Sequence, residues 1–249
     1  MKISIVTAVY NRASTIAQAI TSVQSQSYDN VEHILQDGGS SDGSLEIINK
    51  LSNPYTHVVS APDRGIYDAI NKGISRATGE VVGLMHSDDY FASDAVLAKV
   101  AAAFQQSDID GVYGDLDYVS ASDTSRIIRC WKSGDLTPAK LRRGWMPPHP
   151  TLYLRRSVFE LFGKYDTSYT ISADYDAMLR WLWIHQIKLS YIPEVMVKMR
   201  VGGESNRSLD HILRKSREDY RALRKNGVGG AWALGLKNAR KISQFIVKS

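Results

Sequence analysis

Four short apolar runs, each followed by a stretch with helical spacing, occupy the first third of the chain and constrain its fold more than any other feature. "ISIVTAV" (3 to 9) is apolar and β-branched throughout, as a strand buried on both faces must be. Ile16, Ala19, Ile20 and Val23 then recur at helical spacing, and "VEHILQ" (31 to 36) is the second strand. A turn cluster "DGGSSDGS" leads to a helix using Leu45, Ile47, Ile48 and Leu51, and a third strand lies near "THVVS" (56 to 60). "GIYDAINKGISRA" reads as a helix ended by Thr78-Gly79, and "EVVGLM" (80 to 85) is the fourth strand. This βαβαβαβ order predicts an α/β protein with a Rossmann-like, mostly parallel central sheet and helices on both faces. Ligands of such sheets bind beyond the carboxyl ends of the strands.

Residue types at those ends agree with the rule. Tyr10 and Asn11 follow the first strand, Asp37 the second, Asp63 and Arg64 the third, and Ser87, Asp88 and Asp89 the fourth. Asp and Asn also favour turns and helix N-caps, so each tip taken alone has a purely structural explanation. The Asp88-Asp89 pair is harder to explain that way. Two unit charges about 4 Å apart at an effective dielectric of about 20 repel by about 4 kcal/mol, and a bound cation reverses the sign. Paired carboxylates without a Cys or His cluster suit a hard divalent ion, Mg²⁺ or Mn²⁺, whose other positions go to water and phosphate oxygens. No G-x-x-x-x-G-K-[ST] loop is present, and no G-x-G-x-x-G follows the first strand, which argues against P-loop and dinucleotide chemistry. Asp37 is placed to accept a hydrogen bond from a base N–H.

Beyond residue 110 the alternation weakens. "DGVYGDLDYVSASDTSRIIRCWK" reads as a strand and hairpin, and "GWMPPHPTLYLRR" as a stiff loop in which prolines frame His149, a residue suited to face a diphosphate or metal. "ISADYDAMLRWLWIHQ" is a helix with Ser172 as N-cap, and "KLSYIPEVMVKMRVGGESN" a strand entering a Gly-rich loop, where Arg200 could close over phosphates. The last forty residues read as two helices split at "NGVGGA". Residues 200 to 249 hold twelve Lys/Arg against four Asp/Glu, although the whole chain is only +5. That basic tail is compatible with an anionic membrane surface or with nucleic acid, and equally with a solvated helical face; the expected contact is a peripheral one with the membrane, with no nucleic-acid partner. The single cysteine, Cys130, excludes an internal disulfide, and the absence of a signal peptide or spanning segment suggests a cytoplasmic chain, peripheral at the inner face of the plasma membrane.

Together "SIVTAVYNRASTIAQAITSVQSQSY", "DGGSSDG" and "PDRGIYDAINKGISRATGEVVGLMHSDDY" resemble the family 2 glycosyltransferases, of GT-A fold, and the likeness runs from residue 1 to residue 205. The resemblance implies inverting transfer of a sugar from a nucleoside diphosphate donor, most often UDP, with Mg²⁺ or Mn²⁺. It places Thr7, Ala8, Tyr10 and Asn11 around the base, Asp37 on uracil, and Asp63 or Arg64 near the nucleotide, with Asp68 and Asn71 in the same motif. Asp88 would contact the nucleotide. Asp89, the last acid of the D-x-D position, would hold the metal, with His149 a second candidate ligand. "SADYDAMLR" maps Asp174 onto the catalytic base, with Ala173 replacing the family's first acid and Asp176 the alternative. Trp131 and Trp145 could stack on an acceptor sugar.

On this reading residues 1–115 form the nucleotide-sugar half, 116–205 the acceptor and base half of the same domain, and 206–249 a basic helical extension. The expected partners are a nucleotide sugar and a lipid-linked glycan acceptor in surface polysaccharide or lipopolysaccharide synthesis. A sugar nucleotidyltransferase would need a basic Gly-rich loop after the first strand, which "TAVYNRAST" lacks. A non-catalytic glycan-binding or scaffold protein would need neither metal nor base.

Overall fold

A computed structural model describes residues 1–106, 108–201 and 209–243. Strands β1 (Ile3–Val9), β2 (Val31–Asp37), β3 (Thr56–Ser60) and β4 (Val81–Leu84) alternate with helices α1 (Ile16–Gln24), α2 (Ser44–Leu51) and α3 (Ile66–Arg76). They pair in parallel in the order β3-β2-β1-β4, so all four carboxyl ends lie on one edge. Past β4 come β5 (Tyr90–Phe91), α4 (Val96–Gln106), β6 (Gly111–Ser120), β7 (Ile127–Trp131), α5 (Pro138–Arg142), β8 (Tyr153–Arg155) and α6 (Arg156–Phe162). Helix α7 (Ala173–Leu179) continues into a wider π turn at Arg180–Ile184, and β9 (Leu189–Val201), α8 (Leu209–Lys225) and α9 (Ala231–Ser243) complete the described chain. The nine-stranded sheet runs β3-β2-β1-β4-β8-β6-β9-β5, with β7 on β6.

Side chains alternate across β1 as a pleat requires. Ile3, Ile5 and Val9 join α1 (Ile16, Ala19, Ile20, Val23) and α4 (Val96, Leu97, Val100) in one core, while Val6 joins α3 (Tyr67, Ile70, Ile74) and α7 in the other. Each fully buried Ile or Leu contributes about 1.5–3 kcal/mol, so a polar residue on either face of β1 would be costly. Helix α3 sits close on β1 because Gly73 has no side chain; a Cβ there would overlap Val6 Cγ1.

The antiparallel return of β8 onto β4 positions the site. Val82 pairs with Leu154, so the segment just before β8, a 3₁₀ turn at His149–Thr151, arrives beside the end of β4. The prolines keep this turn from becoming an α-helix, and Thr151 Oγ1 ties it to β6 by donating to the Gly114 carbonyl at 3.2 Å.

Two helix starts stand out. Helix α4 begins at Val96, and the Leu97 N–H donates to Gln26 Oε1 at 3.0 Å, so a side chain from just beyond α1 serves its first turn. Ser172 occupies the N-cap position of α7, but its hydroxyl makes no capping bond and is buried without a partner among the described residues. Helices α8 and α9 pack on α7 through Ala222, Leu223, Val228 and Ala233, with a buried Lys237–Asp219 ion pair at 2.8 Å. No helix among the described residues is long and apolar enough to cross a membrane.

Candidate active site

The carboxyl edge of β1 and β2 opens into a cleft of about 640 Å³, lined by Ala8, Val9, Tyr10, Asn11, Arg12, Gly38, Asp63, Gly65, Ile66, Ala69 and Ser87. Tyr10 is 60% exposed there, an aromatic face available for stacking. Asn11 takes a left-handed conformation (φ 51°), which asparagine tolerates better than most residues. The "DGGSSDGS" cluster holds this rim from the side. Ser40 Oγ accepts from the Asn11 N–H, Ser44 Oγ from Arg12 and Asp42 from Ala13, and the Ser41 N–H donates to Asn11 Oδ1 at 2.9 Å.

Several of the expected nucleotide contacts also make hydrogen bonds within the protein. Asp37 is fully buried, and its carboxylate accepts from the Gly39 and Ser40 N–H groups and from the hydroxyls of Ser40 and Ser60. Thr7 is also buried, hydrogen-bonded to His33 Nε2 at 2.9 Å and absent from the cleft lining. Asp63 lines the cleft and accepts from the Gly65 N–H at 2.8 Å. Asp68 accepts from the Arg64 N–H and pairs with Lys72 at 3.0 Å, and these cationic and N–H partners hold its carboxyl well below the usual range. The Arg64 side chain is exposed, and Asn71 binds both the N–H and the carbonyl of Tyr165, fixing α3 to the loop before α7.

At the end of β4, Ser87 lines the cleft, Asp88 is half-buried and Asp89 is fully buried. Asp89 Oδ1 accepts the Arg200 N–H at 3.2 Å, whereas Oδ2 has no hydrogen-bond partner among the described residues. Burial, reinforced by the neighbouring Asp88 charge, raises the Asp89 carboxyl well above its ordinary range against the opposing pull of Arg200. A buried acceptor without a donor costs about 1–3 kcal/mol, more when charged, and a hard cation would relieve it. The residues present therefore fit Mg²⁺ or Mn²⁺ held by one or two carboxylates together with ligand phosphates. No group of three His, Cys, Asp or Glu among the described residues forms a cage of its own. Arg200, expected over phosphates, instead ties the acidic turn down: its guanidinium donates to the Asp88 carbonyl and to Gln18, and stands over the Tyr90 ring. The "VGGESN" loop beyond it lies outside the described residues.

Asp174 sits in the first turn of α7, where a carboxylate also complements the helix dipole. Its Oδ1 accepts from the Tyr67 hydroxyl at 3.2 Å and the Tyr175 N–H at 2.8 Å. Tyr67 is buried on the helix whose Ile66 and Ala69 line the cleft, and neither it nor Asp174 is part of that lining. Burial pushes the Asp174 carboxyl up, but His149, Lys215, Lys237 and the Tyr175 N–H outweigh it and hold the group below its ordinary value. Burial brings His149 down to about 4 and Lys237 down to about 7, so near pH 7 the first is neutral and the second partly charged, and the lasting pull is that of Lys215 and the Tyr175 N–H. The His149 ring lies 5.6 Å from His86, and its Nε2 is 2.9 Å from the Tyr165 hydroxyl. Burial lowers His86 as well, despite Asp88 and Asp174 nearby.

Asp176 is fully buried on the same helix, but its oxygens are taken by Lys225 Nζ at 3.3 Å and Asn226 Nδ2 at 3.1 Å from α8 and the residue that follows it. Trp145 packs edge-on against Tyr113 with Lys140 over its ring, and Trp131 stacks on Tyr118. Glu218, which sequence reasoning missed, positions α7 from outside. Its carboxylate accepts from the N–H groups of Thr170, Ile171 and Ser172 and from the Thr170 hydroxyl. No local signal marks it, because its partners lie 46 to 48 residues away.

Known proteins resemble both the sequence and the fold. A biosynthetic glycosyltransferase for PGL/p-HBAD from Mycobacterium bovis is 29% identical over 212 residues, covering 83% of this chain and 80% of its own. An uncharacterized glycosyltransferase of Nostoc is 33% identical over 64% of this chain and 52% of its own. Among solved structures, S. aureus TarS (residues 1–349) superposes with a TM-score of 0.72 at 18% identity, covering 98% of this chain and 72% of that one. A mannosyltransferase from Pyrobaculum calidifontis, solved with GDP-Man and Mn²⁺, gives 0.67 at 16% identity over 100% and 76%. Both structural likenesses speak for the GT-A fold. With the Glycosyl transferase family 2 profile matching residues 4–161, which carry the whole cleft and the acidic turn, the chain belongs to the family 2 glycosyltransferases.

Proposed function

We propose that the protein transfers a sugar, with inversion, from a UDP-sugar to a hydroxyl of a lipid-linked glycan acceptor in surface polysaccharide synthesis. The observation that carries this reading is that one cleft gathers residues from the ends of three strands, with Ser87, beside the Asp88–Asp89 pair, in its lining, while Tyr67, on the helix whose Ile66 and Ala69 line it, donates to Asp174 at 3.2 Å. A uracil donor is supported by the fold's likeness to S. aureus TarS, for which complexes with UDP and with UDP-GlcNAc are known.

In the proposed reaction Tyr10 stacks on the base, Asp63 orients the nucleotide from the cleft lining, and Asp88 and Asp89 would hold a divalent cation. When bound, that cation neutralises the charge developing on the departing diphosphate. The acceptor oxygen attacks the anomeric carbon, forming the new glycosidic bond as the bond to the phosphate oxygen breaks. Asp174 takes the acceptor proton. A carboxyl held below its ordinary value is ionised at neutral pH and ready for that step, and neutral His86 and His149 beside it do not neutralise it by salt-bridge formation. We assign His149 to the surroundings of the base and leave the cation to the two aspartates, because its Nε2 is occupied by Tyr165.

Purified protein is assayed for UDP release from UDP-sugars with Mn²⁺, and UDP binding is measured by calorimetry. Asp174→Asn is expected to lower turnover by about 10²–10⁴ while UDP still binds. Asp89→Asn is expected to abolish the metal-dependent part of UDP binding. Wild-type turnover by Asp174→Asn would sink the assignment of the base.

A further inference from the structure

Helix α8 has two unlike sides. Asp219, Ala222 and Leu223 are buried against α7 and α9, while Leu213 and Tyr220 are 55% and 42% exposed. Arg217 and Arg224, both exposed, fall in the same stripe as Leu213 and Tyr220, at i, i+4, i+7 and i+11. The start of α9 belongs to this surface too. A Cβ on Gly230 would lie 3.7 Å from Tyr220 and 3.9 Å from Arg224, and Trp232, two residues on, is 79% exposed, the highest value among the described large apolar side chains.

Among the described residues the exposed charge around these side chains is mostly positive. Arg214 and Arg221 flank the stripe and are exposed, with Arg221 lying over the Tyr169 ring. The acids on this part of the helix are committed elsewhere, Glu218 to the backbone at residues 170–172 and Asp219 to buried Lys237. Only Asp210, at the start of the helix, adds an exposed negative charge. Cations call for an anionic partner. Leu213, Tyr220 and Trp232 set among them call for an apolar layer beneath its charge, which nucleic acid does not offer and a bilayer with anionic headgroups does. Tyr and Trp are also the side chains that settle at a membrane interface, with an apolar body inward and a polar tip in the headgroups.

We propose that the face formed by Leu213, Arg217, Tyr220, Arg224 and Trp232 docks the enzyme on an anionic lipid surface. It deepens the reading of the acceptor as lipid-linked and rests on that reading for its purpose alone, since binding to vesicles needs neither donor nor acceptor.

The test is co-sedimentation of the full chain, without nucleotide or metal, with phosphatidylcholine vesicles and with vesicles containing roughly one-third phosphatidylglycerol. The protein is expected to bind only the anionic vesicles, and less well as salt is raised. R217Q/R224Q should weaken binding about 30-fold, from about 1 kcal/mol per arginine near the surface. Trp232→Ala should also weaken it and should remove a blue shift of tryptophan emission seen when vesicles are added. UDP release with a water-soluble acceptor is expected to stay unchanged in these variants, which separates failed docking from failed transfer. No binding to anionic vesicles, undiminished binding by R217Q/R224Q, or a Trp232-dependent dimer in solution would each overturn the proposal.

Discussion

Glu218 offers the sharpest check on how the proposed base is held. Its carboxylate accepts four hydrogen bonds, from the Thr170, Ile171 and Ser172 N–H groups at 3.1, 2.8 and 2.9 Å and from the Thr170 hydroxyl at 2.7 Å. Asp174 follows two residues later. A hydrogen bond to a charged group contributes about 1.5–3 kcal/mol, but Glu218 is only half-buried, and water can replace part of what is lost. Discounting for that access, Glu218→Ala should cost about 2–3 kcal/mol, or about 5–10 °C of melting temperature for a domain of this size. Burial raises the Glu218 carboxyl, but the Thr170, Ile171 and Ser172 donors outweigh it and leave it below its ordinary value. A depressed carboxylate contributes stability that is present above its unfolded pKa and lost as pH falls through the folded one. The gap between wild type and Glu218→Gln should therefore be full at pH 7 and shrink as pH falls below the ordinary carboxylate range, closing once the depressed folded value is passed. Thermal melts across pH measure that gap. In parallel, kcat should fall at least tenfold in Glu218→Ala at a temperature where the variant is folded, with UDP affinity kept. A variant that melts lower yet turns over like the wild type would show that Asp174 does not depend on this anchor.

Other outcomes follow from the same geometry. Asp89→Asn removes a buried, partly unsatisfied charge, so without metal it should melt higher than wild type even as it loses metal-dependent UDP binding; a lower melting temperature would contradict the burial argument. Tyr10→Ala should weaken UDP binding about 5- to 100-fold in calorimetry, the equivalent of about 1–3 kcal/mol of base stacking, with little change in stability because the ring is exposed. Lys237→Met strands buried Asp219 and should cost about 3–5 kcal/mol, whereas D219N/K237M should recover most of it in a denaturant double-mutant cycle; equal losses in both would mean the pair is not coupled.

Local pattern carried the donor half well. β1 and β3 begin and end where the apolar runs do, and Ala8, Tyr10, Asn11, Asp63 and Ser87 meet in one cleft because parallel strands bring their ends to one edge. What each polar residue does there was less legible. Asp37 stands at the right strand end, but its own turn uses its oxygens, and the Asn and Asp preference for turns cannot be told from ligand binding by residue type. Arg200 was read as a phosphate clamp from its Gly-rich neighbourhood, yet the pairing of β9 with β5 carries it onto the acidic turn. Asp174 and Asp176 are two residues apart, and only the packing of α8 tells them apart by engaging Asp176. Glu218, Tyr67 and Gln26 act across long stretches of chain, where periodicity has nothing to say.

The stitching between the two loops at the cleft rim has an entropic consequence. Ser40, Asp42 and Ser44 grip the backbone of residues 11 to 13 and the Ser41 N–H holds the Asn11 side chain in the free protein, so the mould for the nucleotide is cast during folding. Ordering a residue's backbone costs about 1–2 kcal/mol, and a slack rim would subtract that from affinity each time a donor arrived. Loosening these serines should therefore make donor capture slower and weaker while leaving the bond-forming step alone, since they shape the vessel and take no part in what happens inside it.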